Sequence, residues 1–204
     1  LSSFTYSLDG GPEVSVAGPV TIATEGTTVV QFRVTDLAGN TASQSETVRI
    51  DLTAPAISCA SADGLWHATD VTIACTASDG GSGPGDAHDA SFSLTTSVTG
   101  GTENPNAATG TRLVCDAVGN CATAGPISGN KIDKKAPAIT ISTPAANAFF
   151  MIGQSVAPVY SCVDGGSGTQ SCTATAIDTS SPGTRTVTVT SRDNVGNTGV
   201  QSVT

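Results

Sequence analysis

Residues 29–40 have the sequence VVQFRVTDLAGN, which combines an alternating pattern with a turn string. Val30, Phe32 and Val34 alternate with polar side chains, which is typical of a β-strand with one buried face. The string DLAGN that follows has the composition of a tight hairpin turn. In such a turn Asp caps the backbone through its side chain, and Gly or Asn takes a positive φ. The stretch therefore predicts a strand, a hairpin turn and a returning strand.

The hairpin string belongs to an internal repeat. Asp-x-x-Gly-Asn occurs three times, at 36–40, 116–120 and 193–197. Two further strings recur in the same order, Asp-x-x-Ala-Pro-Ala-Ile at 51–57 and 133–139, and DGGSG at 79–83 and 164–168. Self-similarity at a fixed period, here about 80 residues, indicates tandem modules.

The modules are predicted to be all-β. Short strands separated by Gly, Pro and Asp turns, in modules of about 80 residues, indicate Greek-key sandwiches. We expect a partial module at 1–53, which lacks its first strands, followed by modules at 54–135 and 136–204. Because an incomplete sheet exposes an unpaired edge, we expect either that another segment or chain completes residues 1–53 or that their amide hydrogens exchange fast.

Three segments resemble bacterial Ig-like tandem repeat domains of cell-surface and secreted proteins. They are FTYSLDGG at 4–11, EGTTVVQFRVTDLAGNTA at 25–42 and DLTAP at 51–55. The resemblance covers essentially the whole chain, although TGTRLVCD at 109–116 lacks the clean alternation of the first repeat. It implies immunoglobulin-like β-sandwich modules joined by short linkers, used as spacer, adhesin segment or accessory module. It also implies that the full protein carries more repeats.

The six cysteines are an even set without a CxxC pair, which favours a disulfide framework and an oxidising, extracellular or cell-surface location. Strand faces suggest the pairing. Cys115 and Cys121 flank one hairpin turn on its outer face, where cross-strand side chains lie at disulfide distance. Cys59 and Cys75 are expected to face inward on neighbouring first strands, and Cys162 and Cys172 enclose a DGGSG loop. The alternative is an antibody-like bridge from Cys75 to Cys115.

Composition excludes several partners. A net charge of -9 argues against nucleic acid and anionic lipid as ligands. No apolar run approaches the roughly 20 residues of a membrane span.

Residues suited to catalysis are few. The two histidines, His67 and His88, are not accompanied by a Gly-x-Ser-x-Gly elbow, so we expect no enzyme. Asp86, His88 and Asp89 could hold a metal loosely, but a solvated loop explains them more simply. Trp66 could stack on a sugar, although a single Trp more often covers the edge of a core.

The aspartates form the one group of residues that is suited to binding a ligand. In an Ig-like sandwich the DGGSG loop, the Asp-x-x-Gly-Asn turn and the linker Asp of the preceding module meet at one end. This predicts convergence of Asp51, Asp79 and Asp116 at the first joint, and of Asp133, Asp164 and Asp193 at the second. Three carboxylates with nearby carbonyl groups suit calcium. The simpler alternative is that each Asp caps its own turn.

The expected function is a non-catalytic extracellular spacer or adhesion stalk, in contact with neighbouring modules of its parent chain. One alternative is a module that binds a glycan or a host protein, which an exposed aromatic cluster or apolar patch would favour. Another is an accessory segment of a secreted hydrolase.

Overall fold

The computed structural model describes all residues from 1 to 204, and the chain is all-β. It contains seventeen strands, a single 3-10 turn at Ala87–Asp89 and no α-helix, and thus no helix that could cross a membrane. The strands are β1 Ser3–Leu8, β2 Val14–Ser15, β3 Gly26–Thr35, β4 Thr41–Ile50, β5 Ala56–Cys59, β6 Trp66–His67, β7 Thr72–Ser78, β8 Ser91–Thr95, β9 Glu103–Ala107, β10 Arg112–Cys115, β11 Cys121–Ala124, β12 Asn130–Asp133, β13 Ala138–Thr143, β14 Val159–Val163, β15 Thr169–Ala174, β16 Val187–Asp193 and β17 Thr198–Val203.

The strands form six small sheets. Their strand orders are β2-β1-β3-β4, β5-β7-β8, β6-β12-β9, β10-β11, β13-β14 and β15-β16-β17. Each Asp-x-x-Gly-Asn string joins two neighbouring strands, β3 to β4, β10 to β11 and β16 to β17. The hairpins predicted from the repeated string are therefore confirmed.

The first sheet has one apolar and one polar face, as the alternation in β3 predicts. Phe4, Tyr6 and Leu8 of β1 lie opposite Val34, Phe32 and Val30 of β3 in the register, and so share a face with them. Of these six side chains only Val30 is buried, and Phe4, Leu8 and Val34 are exposed. The outer strand β4 is ten residues long and mostly exposed. The sheet thus has an open apolar face and a long free edge.

Strands in other sheets bury alternate residues, in keeping with the period of two of a β-strand. In β7 the buried residues are Ile73, Cys75 and Ala77, and in β16 they include Val187 and Val189. The strand that returns after the second hairpin is interrupted. It forms β11, leaves the ladder at Pro126, which has no N–H to donate, and resumes as β12, where Ile132 is fully buried.

The structure contains three disulfides and no free cysteine. They join Cys59 to Cys75, Cys115 to Cys121 and Cys162 to Cys172, the three pairs that the strand-face argument favours. Three disulfides in an all-β chain fit an oxidising compartment.

By compactness the chain divides into two units. One comprises residues 1–58, 76–91 and 113–123, and the other comprises 59–75, 92–112 and 124–204. The module boundaries at 53 and 135 stay a prediction from the sequence repeat. The acidic clusters described next each lie within a single unit.

Candidate metal centres at the linker aspartates

The aspartate of each hairpin turn caps its own turn. Oδ1 of Asp116 accepts hydrogen bonds from the backbone N–H groups of Val118, Gly119 and Asn120, at 3.0, 2.6 and 2.8 Å. Gly119 has a φ of +101°, a conformation that favours glycine. Asp193 repeats this arrangement with the equivalent N–H groups of its own turn. The capping role predicted for these residues is confirmed.

In two of the three turns the last residue also holds the linker. Nδ2 of Asn120 donates to the carbonyl oxygen of Asp51 at 3.0 Å, and to Oδ2 of Asp116. Nδ2 of Asn197 donates in the same way to the carbonyl oxygen of Asp133 at 2.8 Å. Asn40 occupies the corresponding position of the first turn, but its amide donates to Asp36 of its own turn. The amide therefore ties the linker to the turn in two of the three repeats.

The DGGSG loop completes this contact. Oδ2 of Asp51 accepts from the backbone N–H of Ser82 at 2.6 Å, and Oδ2 of Asp133 accepts from that of Ser167 at 2.7 Å. We call each set a linker clamp. The first clamp is Asp51, Ser82 and Asn120, and the second is Asp133, Ser167 and Asn197.

The clamp explains the second glycine of DGGSG. A Cβ on Gly166 would lie 2.6 Å from Cγ of Asp133, and a Cβ on Gly81 would likewise overlap the carboxylate of Asp51. The fifth residue of the string, Gly83 or Gly168, has a positive φ of +80° or +86°. The string is thus a loop shaped to receive a carboxylate.

Two acidic clusters lie at the clamps. Asp51, Asp79 and Asp116 each offer an oxygen atom, and these oxygens lie within 4.8 Å of one another. The second cluster, with the same spacing, is Glu103, Asp133 and Asp164. The first cluster is the predicted set. In the second, Glu103 takes the place predicted for Asp193, which caps its own turn with both carboxylate oxygens.

Glu103 was missed because its position depends on a long-range strand register. It opens β9, where it lies directly opposite Asp133 of β12. The sequence contains a weak signal for it. Thr-Glu occurs at 24–25 and again at 102–103, in each case shortly before an Asp-x-x-Gly-Asn turn. Glu25 accordingly lies near the first linker, where Oε1 accepts from the hydroxyl of Thr53 at 2.6 Å.

The carboxylates of the second cluster oppose one another electrostatically. Burial raises the pKa of Asp164, and repulsion from Asp133, Asp193 and Glu103 raises it further. Burial is the largest influence on the pKa of Asp133 and acts to raise it, but the hydrogen bonds from Ser167, Lys135 and Asp193 together outweigh it, and the net direction is down. Asp164 is therefore the member whose negative charge is least well compensated.

Unpartnered polar atoms are concentrated at these clusters. Four buried side-chain oxygens in the whole chain have no hydrogen-bond partner, namely Ser82 Oγ, Glu103 Oε2, Asp164 Oδ1 and Ser167 Oγ. All four belong to the clusters or to the clamp serines. Hard cations such as calcium bind carboxylate, carbonyl and hydroxyl oxygens, so the residues present fit this chemistry. In the first cluster each carboxylate already accepts backbone N–H bonds, as the turn-cap alternative predicts.

The other candidate residues are not assembled into sites. Nε2 of His67 lies 3.0 Å from Asp63, and Nδ1 of His88 lies 2.8 Å from Asp86. Asp86 caps the 3-10 turn by accepting from the N–H of His88, and Asp89 is buried in that turn. Trp66 of β6 is half-buried and pairs with Lys131 of β12.

Comparison of the chain with protein-family models, curated proteins and solved structures found no match.

Calcium binding stays a prediction, with a measurable consequence. Excess calcium should raise the melting temperature by several degrees relative to chelator, because a ligand that binds only the folded state stabilises it by mass action. Asp164→Ala should remove most of this shift, and Asp79→Ala should remove less. Thermal unfolding followed by circular dichroism measures both.

Asp36→Ala is the matched control, because Asp36 caps a turn of the same type but belongs to neither cluster. It should lower the melting temperature and leave the calcium-dependent shift intact. Equal melting curves of the unmodified chain in calcium and in chelator would leave the aspartates as turn caps only.

Proposed function

We propose that this chain is a non-catalytic extracellular spacer or adhesion stalk, built from immunoglobulin-like modules in tandem and carried by a bacterial surface or secreted protein. The observation that supports this most directly is the linker clamp. The same two hydrogen bonds occur at both linkers, with distances that differ by at most 0.2 Å between the two copies. A residue that connects two modules is thereby held at its carboxylate and its carbonyl.

A linker that is held by a clamp helps to keep the chain extended and stiff. A linker without such contacts behaves as a flexible coil, whereas each clamp restrains one residue by hydrogen bonds to two separate loops. The three disulfides add resistance to unfolding and proteolysis, since they restrict the unfolded chain. A stalk requires these properties and requires no catalytic group.

The proposal is tested by loosening both clamps together. Asn120→Ala combined with Asn197→Ala removes the two amides that hold the linker carbonyls. The variant should remain folded, while small-angle X-ray scattering should show a wider distribution of particle dimensions. Asn40→Ala is the control, because its amide reaches no linker carbonyl. A distribution that is the same in the double variant, the control and the unmodified chain would contradict the stalk proposal.

A second candidate function, a binding module, is favoured by one observation. The loop between β13 and β14 places Phe149, Met151 and Ile152 in solvent, with 97%, 77% and 67% of their surface exposed. Contiguous exposed apolar side chains commonly mark an interaction site. A module with this loop could both extend the chain and dock a ligand.

A further inference from the structure

The two DGGSG loops share one sequence, and each opens with an Asp-Gly step. The steps are Asp79-Gly80 and Asp164-Gly165. In such a step the backbone nitrogen of the glycine can attack the carboxyl carbon of the aspartate and close a five-membered imide. Glycine permits this because it has no Cβ to hinder the approach. The fold decides which step reacts, since the carboxyl carbon must lie over its own backbone and the carboxylate must give up its charge.

Both aspartate side chains curl over their own loops, but they are held to different degrees. Oδ2 of Asp79 accepts from the backbone N–H groups of Gly81 and Gly83, at 3.1 and 2.8 Å. The carboxylate of Asp164 accepts one hydrogen bond, from the N–H of Gly168 at 2.7 Å, and its Oδ1 is buried without a partner. Closing the imide therefore breaks two hydrogen bonds to the charged group in the first loop and one in the second.

The charge of Asp164 is also opposed by its neighbours. Its carboxylate lies within 4.8 Å of those of Glu103 and Asp133. Oε1 of Glu103 lies 3.4 Å from Nζ of Lys135, but its Oε2 is buried without a partner. No carboxylate oxygen of the first cluster is buried in that state. Since like charges at this distance repel, an imide at Asp164, which is neutral, relieves the second cluster.

Packing keeps the attacking residue of the second loop a glycine. A Cβ on Gly165 would lie 2.7 Å from Oε1 of Glu103, whereas a Cβ on Gly80 would meet no atom within 4 Å. The second loop therefore combines an unhindered backbone nitrogen, a weakly held carboxylate and a repulsive surrounding. The first loop has only the first of these three features.

We propose that Asp164-Gly165 is a modification site, at which the second DGGSG loop isomerises spontaneously to isoaspartate. The nitrogen of Gly165 forms a bond to Cγ of Asp164, and one carboxyl oxygen leaves as water with the amide proton and a proton from solvent. A second water molecule then opens the imide at either of its carbonyl carbons. Opening at the main-chain carbon leaves the backbone running through the side chain. Water is the only co-reactant, and this inference does not depend on the stalk proposal.

Isomerisation would act on the second linker clamp. It inserts one carbon into the backbone three residues before Ser167, whose N–H lies 2.7 Å from Oδ2 of Asp133. Asp133 is fully buried and cannot follow a displaced donor. The lengthened loop would therefore lose this hydrogen bond, and the second clamp would loosen as the protein ages while the first stays intact.

The test incubates the full, disulfide-bonded chain in water enriched in heavy oxygen. Each cycle of closure and opening leaves one labelled oxygen in the carboxylate. After reduction and tryptic digestion, Asp164 falls in the peptide 136–185 and Asp79 in the peptide 50–112, and fragment masses locate the label. Asp164 should acquire label roughly tenfold faster than Asp79, because one fewer hydrogen bond to a charged group is lost.

Two controls separate the fold from the sequence. In the reduced chain unfolded by urea both steps have the same DGGSG context, so Asp79 and Asp164 should acquire label equally. Glu103→Gln keeps the shape of the side chain and removes one opposing charge, so it should slow labelling at Asp164 several-fold and leave Asp79 unchanged. Labelling at Asp164 that is no faster than at Asp79 in the folded chain would overturn the proposal. A rate at Asp164 that Glu103→Gln does not change would overturn the role of the cluster.

Discussion

Replacing Cys59 and Cys75 together with alanine should lower the free energy of unfolding by about 3 kcal/mol, the largest single effect expected in this chain. The bridge closes a segment with a sequence separation of 16 residues, and Cys75 lies in the core of its sheet. Stability falls because the unfolded chain has more conformational freedom without the bridge. Trp66, the only Trp, lies inside the closed segment, so its fluorescence during urea unfolding reports on this region.

The control is the pair Cys115→Ala and Cys121→Ala, which opens a separation of only six residues. The same chain-entropy relation gives about 2 kcal/mol for it. A smaller loss for the first pair than for the second would show that the entropic argument does not describe this protein.

Tryptic digestion without reduction tests the connectivity itself. No Lys or Arg lies between Arg49 and Arg112, so Cys59 and Cys75 fall in one peptide. Cys115 and Cys121 fall together in the next, and Cys162 and Cys172 in another. All disulfides should therefore lie within single peptides. Two peptides joined through Cys75 and Cys115 would instead support the antibody-like alternative.

The second large effect is expected for Gly166→Ala. The new Cβ would lie 2.6 Å from Cγ of Asp133, which is fully buried and cannot move aside without losing the N–H of Ser167. Overpacking of this kind costs about 1–3 kcal/mol. Urea unfolding measures the loss, and amide exchange at Ser167 should accelerate in the folded state.

Gly80→Ala provides the control, because a Cβ at that position meets no atom within 4 Å and its φ is not positive. Its stability should be within about 0.5 kcal/mol of the unmodified chain, as for most surface substitutions. If the two variants were equally stable, the close approach of the DGGSG loop to the linker would not be a real constraint.

The parts of the fold that were predictable rest on local chemistry. Asp36, Asp116 and Asp193 cap their turns through atoms two to four residues away, and a string of five letters contains everything that this requires. The alternation in residues 29–35 likewise reports the two faces of one strand. Cys115 and Cys121 were paired from the same local information, since they flank a single turn.

The parts that were not predictable depend on distant registers. Glu103 reaches Asp133 only through the pairing of β9 with β12, and β9 has no alternating pattern that would mark it as a strand. The hydrogen bond from Asn120 to the carbonyl oxygen of Asp51 spans 69 positions. A motif search finds both strings but not the contact between them, because the contact is set by how the strands lie.

The composition of the linker clamps has a consequence for ionic strength. The donors to Asp51 and Asp133 are backbone N–H groups, and the donors to their carbonyl oxygens are amide side chains, so neither clamp contains a cationic side chain. Dissolved salt weakens the attraction between opposite charges, and no pair of opposite charges holds either clamp. Acid acts differently. Contact with Ser82 lowers the pKa of Asp51, so its contribution is present above the ordinary carboxyl pKa and is lost as the pH falls below it. The hydrogen bonds of the clamps should therefore not weaken as salt is added, and they should be lost only in strong acid.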